Sequence, residues 1–166
     1  MWAEIIQRFA DSPAQSRVVK FLLENGFGVN EQAKVHCNGV EIPATHIAKV
    51  IGTDRRVIDM TGQRIVSDAS LKEIFLNMRA TPDLSQVANA LKLTVITIIP
   101  RNATEKGIVG AAVQVLHRYS LGIRQIFVTD PYFSEHPRLV IIIDEPLPPG
   151  VIEELRMQPQ IRQIIL

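Results

Sequence analysis

The chain has 166 residues, 46% hydrophobic and 21% charged, a composition that excludes disordered, collagenous and coiled-coil classes. Its formal net charge is +1, from 18 Lys+Arg against 17 Asp+Glu, so no global basic field exists and DNA binding requires a local patch. The single cysteine, Cys37, excludes an intramolecular disulfide and a Cys-rich zinc site, which fits a reducing compartment.

The stretch Met1 to Arg8 is mixed and amphipathic and has no signal-like apolar core. No apolar run approaches the ~18 residues a membrane span needs, so a soluble, cytoplasmic protein without a membrane partner is expected. Ile5, Ile6 and Phe9 predict a short first helix. Ser12-Pro13 starts a second, in which Val18, Val19, Leu22 and Leu23 keep helical spacing until Gly26 stops it. Val35 to Ile42 reads as a small hairpin turning on Asn38-Gly39 as type I′. Asp68 is a candidate cap for a last helix with Leu71, Ile74, Phe75 and Met78 on one face. Residues 1–80 thus form a helical domain. Residues 81–92 are predicted to be a connecting helix, with Thr81 as cap, Pro82 at its first position and Leu84, Val87, Ala88 and Leu91 along it.

Residues 93–166 read β-α-β-β-α-β. The predicted strands are 93–99, 123–129, 138–144 and 161–166; the predicted helices are 108–120 and 149–157. Ile123-Arg124-Gln125-Ile126 recurs as Ile161-Arg162-Gln163-Ile164, in the strand that follows each helix. A split βαβ unit puts those two strands in matching positions. The first and third strands are the most continuously apolar and should be central, while the repeated polar pairs suit edges. The expected class is α+β: a helix-turn-helix domain, then a ferredoxin-like βαββαβ domain.

Ala44 to Ile58 carries the strongest local motif. Ala48, Gly52 and Ile58 match the small–glycine–aliphatic spacing of a helix-turn-helix: a small residue allows close approach, Gly the left-handed turn, and the aliphatic fills the gap. Ile47 and Ile51 should face the core, and Asp54 should cap the second helix. Thr61 stands where an apolar residue is more usual. Arg55 and Arg56 then lie at the exposed helix start, where recognition helices meet bases or phosphates, and Arg64 could reach a phosphate or stand solvated. The same hairpin also serves protein contact.

The connection Pro100 to Gly110 runs from a central strand into a helix start, where free N–H groups favour a carboxylate or another anion. Gly107 permits close approach and Asn102 can donate and accept at once. Here the second half resembles the ACT domain, a ferredoxin-like module that binds amino acids at this loop. Gly107-Ile108-Val109 matches the family's glycine followed by aliphatics, and Asn102 matches its opening polar residue. The loop is about two residues longer than the common form. The resemblance implies a ligand site of Asn102, Gly107, Ile108 and Val109, with Arg124 on the neighbouring strand as carboxylate partner or an ordinary edge charge. A purely structural or dimerising module is the alternative.

Nearly the whole chain resembles a family of archaeal regulators of amino-acid metabolism, built from a helix-turn-helix part and an ACT domain. Arg17 to Leu23, Asp54 to Val57, Gly107 to Ala112, Gln125 to Pro131 and Ile143 to Gly150 carry that likeness. It implies a ligand-responsive transcriptional regulator whose DNA affinity is set by a bound amino acid. The alternative is a regulatory subunit that senses an amino acid and binds a metabolic enzyme. No cofactor and no catalytic activity are expected. His36 and Cys37 are strand neighbours pointing to opposite faces, His36, His46, His117 and His136 lack metal-ligand spacing, and phosphate-binding glycine motifs are absent. ACT domains commonly pair, and both faces of the central strands are apolar. A homodimer is therefore expected, burying a helix-free face assigned to Ile96, Ile98, Val140 and Ile142.

Overall fold

The structure is a computed structural model that describes residues 2–132 and 134–166. Among them are seven helices and two antiparallel sheets, a mixed α+β architecture. The chain divides into two compact units, Met1–Pro82 and Asp83–Leu166. None of the helices among the described residues is long and apolar enough to cross a membrane.

The first unit comprises α1 (Trp2–Gln7), α2 (Pro13–Asn25), β1 (Gly28–Val29), β2 (Val35–Cys37), β3 (Val40–Glu41), α3 (Ala44–Ile51), α4 (Arg55–Ser67) and α5 (Ala69–Asn77). Pro13 sits in the first turn of α2, where its missing N–H costs nothing, and Gly26 ends the helix in the left-handed region at φ 65. The β2–β3 hairpin turns on Asn38 (φ 49) and Gly39 (φ 90), the two positive φ values that a type I′ turn demands. Asp68 caps α5 by accepting from the N–H groups of Ser70 and Leu71. Phe9, Val18, Leu22, Ile65 and Phe75 are fully buried; burying each such side chain stabilises the fold by ~1.5–3 kcal/mol.

The second unit comprises β4 (Thr94–Pro100), α6 (Ile108–Arg118), β5 (Ile123–Val128), β6 (Leu139–Ile143), α7 (Val151–Arg156) and β7 (Ile161–Ile165). Its strand order is β5-β6-β4-β7 and every neighbouring pair is antiparallel. The two most apolar strands are central, and the repeated tetrapeptide occupies both edges. Ile96, Ile98, Leu139, Ile141 and Ile143 face α6 and α7 and pack with Ala112, Val115, Leu116, Val151 and Leu155.

Two expectations are corrected. Residues 85–92 form turns instead of a connecting helix. Of its expected apolar stripe only Ala88 is buried; Val87 and Leu91 are 47% and 52% exposed, so burial of one face does not offset the cost of helix nucleation. The assignment of the helix-free face also changes. Register pairs Ile96 with Ile141 and Ile98 with Leu139 on the helix side, while Val95 and Thr97 pair with Ile142 and Val140 on the other. Val140 and Ile142 are already buried within the single chain. The turns from Asp83 to Leu93 lie beside that face: Leu84 N–H donates to Gln125 Oε1 at 3.0 Å. A cleft of about 410 Å³ separates Ser85, Gln86 and Asn89 from Val95, Phe127 and Val140.

Candidate functional site

The helical hairpin of the first unit is built as its local sequence dictates. Gly52 ends α3 in the left-handed region at φ 71, with its N–H returning to Ala48 O. Asp54 then starts α4, accepting from Arg56 N–H at 2.8 Å, and its charge complements the helix dipole. Ile47, Ala48 and Ile58 are buried between the helices. Thr61 is also buried, and its hydroxyl donates to Val57 O at 2.6 Å, which satisfies a polar group where an apolar one was expected.

Arg55 and Arg56 are exposed at the start of α4, and neither side chain forms an ion pair among the described residues. Arg64 is placed differently. Its guanidinium donates to Asp11 Oδ2 at 3.1 Å, Gln15 Oε1 at 3.0 Å and Arg8 O at 2.6 Å. It also lies 4.7 Å from the centre of the Phe9 ring. A phosphate would have to compete with four partners, and the side chain ties α4 to the α1–α2 connection.

In the second unit, Gly107 (φ 92) precedes α6 and supplies no side-chain cap, so the first N–H groups of that helix lack one. A Cβ at Gly107 would meet nothing within 4 Å, leaving the backbone open to approach. Gly107, Ile108 and Val109 line a pocket of about 160 Å³ with Val128, Pro137 and Leu139. Two of the expected residues lie outside its walls. Asn102 shapes the loop from within: its Oδ1 accepts from Thr104 N–H at 3.0 Å and Thr104 Oγ1 at 2.7 Å. Arg124 is bound to Asp144 Oδ1 at 2.7 Å. It stands four residues along β5 from Val128, about 13 Å at ~3.3 Å per residue, and is not among the residues that line the pocket.

Arg138 stands immediately before β6. It lines the same pocket, as does Glu105, and neither charged group has an ion-pair partner among the described residues. Neither was singled out from the sequence; for Arg138 the reason is that only the β4–β6 pairing brings residue 138 beside the loop after β4. The available signal was the Pro137-Arg138 step, a charge at the threshold of a central strand. A pocket offering a cation, an anion and apolar walls can hold a small zwitterion.

His36 and Cys37 sit on β2 as strand neighbours, and His36 is buried. Its Nδ1 accepts from Gly39 N–H at 3.2 Å, so the imidazole serves the hairpin turn. Among the described residues no group of three or more His, Cys, Asp or Glu side chains is placed to hold a metal ion. No protein-family model matches this chain, and neither does any curated protein or solved structure.

Proposed function

We propose that this protein is an amino-acid-responsive, DNA-binding transcriptional regulator without catalytic activity, a cytoplasmic homodimer that joins a helix-turn-helix domain to a ferredoxin-like domain of ACT type. The observation that carries the reading is the pocket beside α6. Arg138 and uncapped helix N–H groups suit a carboxylate, Glu105 suits an ammonium, and Val109, Val128 and Leu139 suit a small aliphatic side chain. The strand order of the second unit supports the fold, and Arg55 and Arg56 on a capped helix support the contact with DNA. Regulation requires the ligand to favour one conformation of the protein; a coupling of ~1–3 kcal/mol changes DNA affinity about 5- to 150-fold.

The test is a thermal-shift screen of the twenty amino acids on the whole chain, followed by a gel shift with and without the best ligand. A small neutral amino acid is expected to raise the melting temperature, and Arg138→Ala to remove that rise. A screen in which none stabilises the protein defeats the proposal.

A second reading, a regulatory subunit that docks on an enzyme, is favoured by one feature. Val50 on α3 and Met60 on α4 are 71% and 59% exposed, an apolar addition to the helical hairpin that phosphate contact does not need. Val50→Lys with Met60→Lys separates the readings: loss of an enzyme partner with DNA binding intact supports docking.

A further inference from the structure

Three arginines meet at one end of the second unit's sheet, and strand register puts them there. Arg138 immediately precedes β6, Arg101 immediately follows β4, and Arg162 is the second residue of β7. Ile98 pairs with Leu139, and Pro100 pairs with Ile161 across an irregularity between Ile99 and Pro100. Arg138 therefore lies opposite Ile99, Arg162 beside the Ile99–Pro100 irregularity and Arg101 just past it, so the three positions gather at one end of three adjacent strands ~4.8 Å apart. Arg101 N–H donates to Gln160 O at 2.8 Å, which ties the end of β4 to the turn before β7.

These arginines line a groove of about 380 Å³ on the helix-free side, with His136, Glu135, Thr97, Ile99, Pro137 and Ile165 among its walls. None of the three guanidinium groups forms an ion pair among the described residues, and Glu135 lies beyond ion-pair distance of them. Four other arginines do form ion pairs: Arg8 with Asp68, Arg64 with Asp11, Arg118 with Glu154 and Arg124 with Asp144. Three like charges gathered in one concave site repel one another, and a multiply charged anion relieves that repulsion. Planar guanidinium forks suit phosphate oxygens, and the volume is that of a small-molecule site.

We propose that this groove is an anion site for a small phosphate-rich metabolite, carrying a diphosphate or triphosphate group, with Arg101, Arg138 and Arg162 as its phosphate ligands. The apolar wall of Ile99, Pro137 and Ile165 is available to the organic part of such a molecule. The groove adjoins the pocket beside α6 and shares Pro100, Ala103, Pro137 and Arg138 with it, whereas Arg101 and Arg162 line the groove alone, so their replacement tests this site apart from amino-acid binding.

The experiment is calorimetric titration of the whole chain with inorganic triphosphate and with ATP, on the parent, Arg101→Ala with Arg162→Ala, and Arg156→Ala. Binding to the parent is expected, with a loss of about tenfold or more in the double variant and none in Arg156→Ala, an exposed arginine on α7. Equal affinity for the two probes assigns recognition to the phosphate chain; tighter ATP assigns it to a nucleotide. Circular dichroism on the double variant checks that it is folded. No binding to the parent, or equal binding by a folded double variant, overturns the proposal. Displacement of triphosphate by short duplex DNA from a chain carrying Arg55→Ala and Arg56→Ala overturns it in favour of a nucleic-acid surface.

Discussion

His36 is the residue through which the first unit should sense acid. Burial, and then the nearby positive charge of Arg79, hold its pKa below the ordinary 6.5. The folded state keeps the ring neutral, with Nδ1 accepting from Gly39 N–H. The unfolded chain therefore binds more protons at mildly acid pH. This contribution to stability is complete above about pH 6.5 and is lost as pH falls through the lower folded value. Urea unfolding across that range should give a falling midpoint, and His36→Gln should flatten the fall; an unaltered slope refutes this role. Arg55 and Arg56 give a second expectation. Their joint replacement by alanine should weaken DNA binding by about 1–3 kcal/mol per base contact with little change in stability. Equal gel shifts for variant and parent would reject α4 as the reading helix. The exposure of this pair was legible, because Asp54 fixes where α4 begins. The engagement of Arg64 was not: its partners Asp11, Gln15 and Arg8 lie 49 to 56 residues away in sequence.

At the scale of the element, α4 contains a substitution whose sign the packing reverses. Gly→Ala inside a helix ordinarily gains about 1 kcal/mol. At Gly62, however, a Cβ would meet Ala33 O at 2.3 Å, a backbone atom that cannot swing aside. Gly62→Ala should therefore destabilise the first unit by about 1–3 kcal/mol, as overpacking does, read as a lower denaturation midpoint. A higher midpoint would show that the 30–34 turn yields. The caps Asp54 and Asp68, the Asn38-Gly39 turn and the two central strands were readable because each has a local chemical cause. Two features lacked such a cause. Leu84, Val87, Ala88 and Leu91 have helical spacing, but spacing supplies no surface to bury against, and the segment settles into turns. Along Val95 to Ile99 and Leu139 to Ile143, nearly every side chain is apolar, so no alternation distinguishes the faces. Pairing of Ile96 with Ile141 decided them. The same limit applies at the α6 pocket: Gly107, Ile108 and Val109 are local, whereas Arg138 reaches the site only through strand pairing.

At the scale of the whole molecule, the case for a homodimer shifts from the sheet's face to its edge. Val140 and Ile142 are buried within one chain, whereas Ile123, Ile126 and Val128 on edge strand β5 remain exposed. An apolar edge invites pairing with a second copy, and a symmetric pair suits a reader of two half-sites. Sedimentation at micromolar concentration should return twice the chain mass, and Ile126→Lys should reduce it to one; a parent that is already monomeric rules the dimer out. The strand order also governs how the protein is made. β4 leaves the ribosome first, yet its partners are β6 and then β7, and 60 residues separate Pro100 from Ile161. At about 5–20 residues per second, translation leaves β4 without its last neighbour for roughly 3–12 s. Through that interval an apolar strand waits with backbone donors and acceptors unpaired, the state in which chains capture one another. Slow codons or truncation between those positions would thus reduce the yield of soluble protein before they touched the stability of any molecule that finished folding.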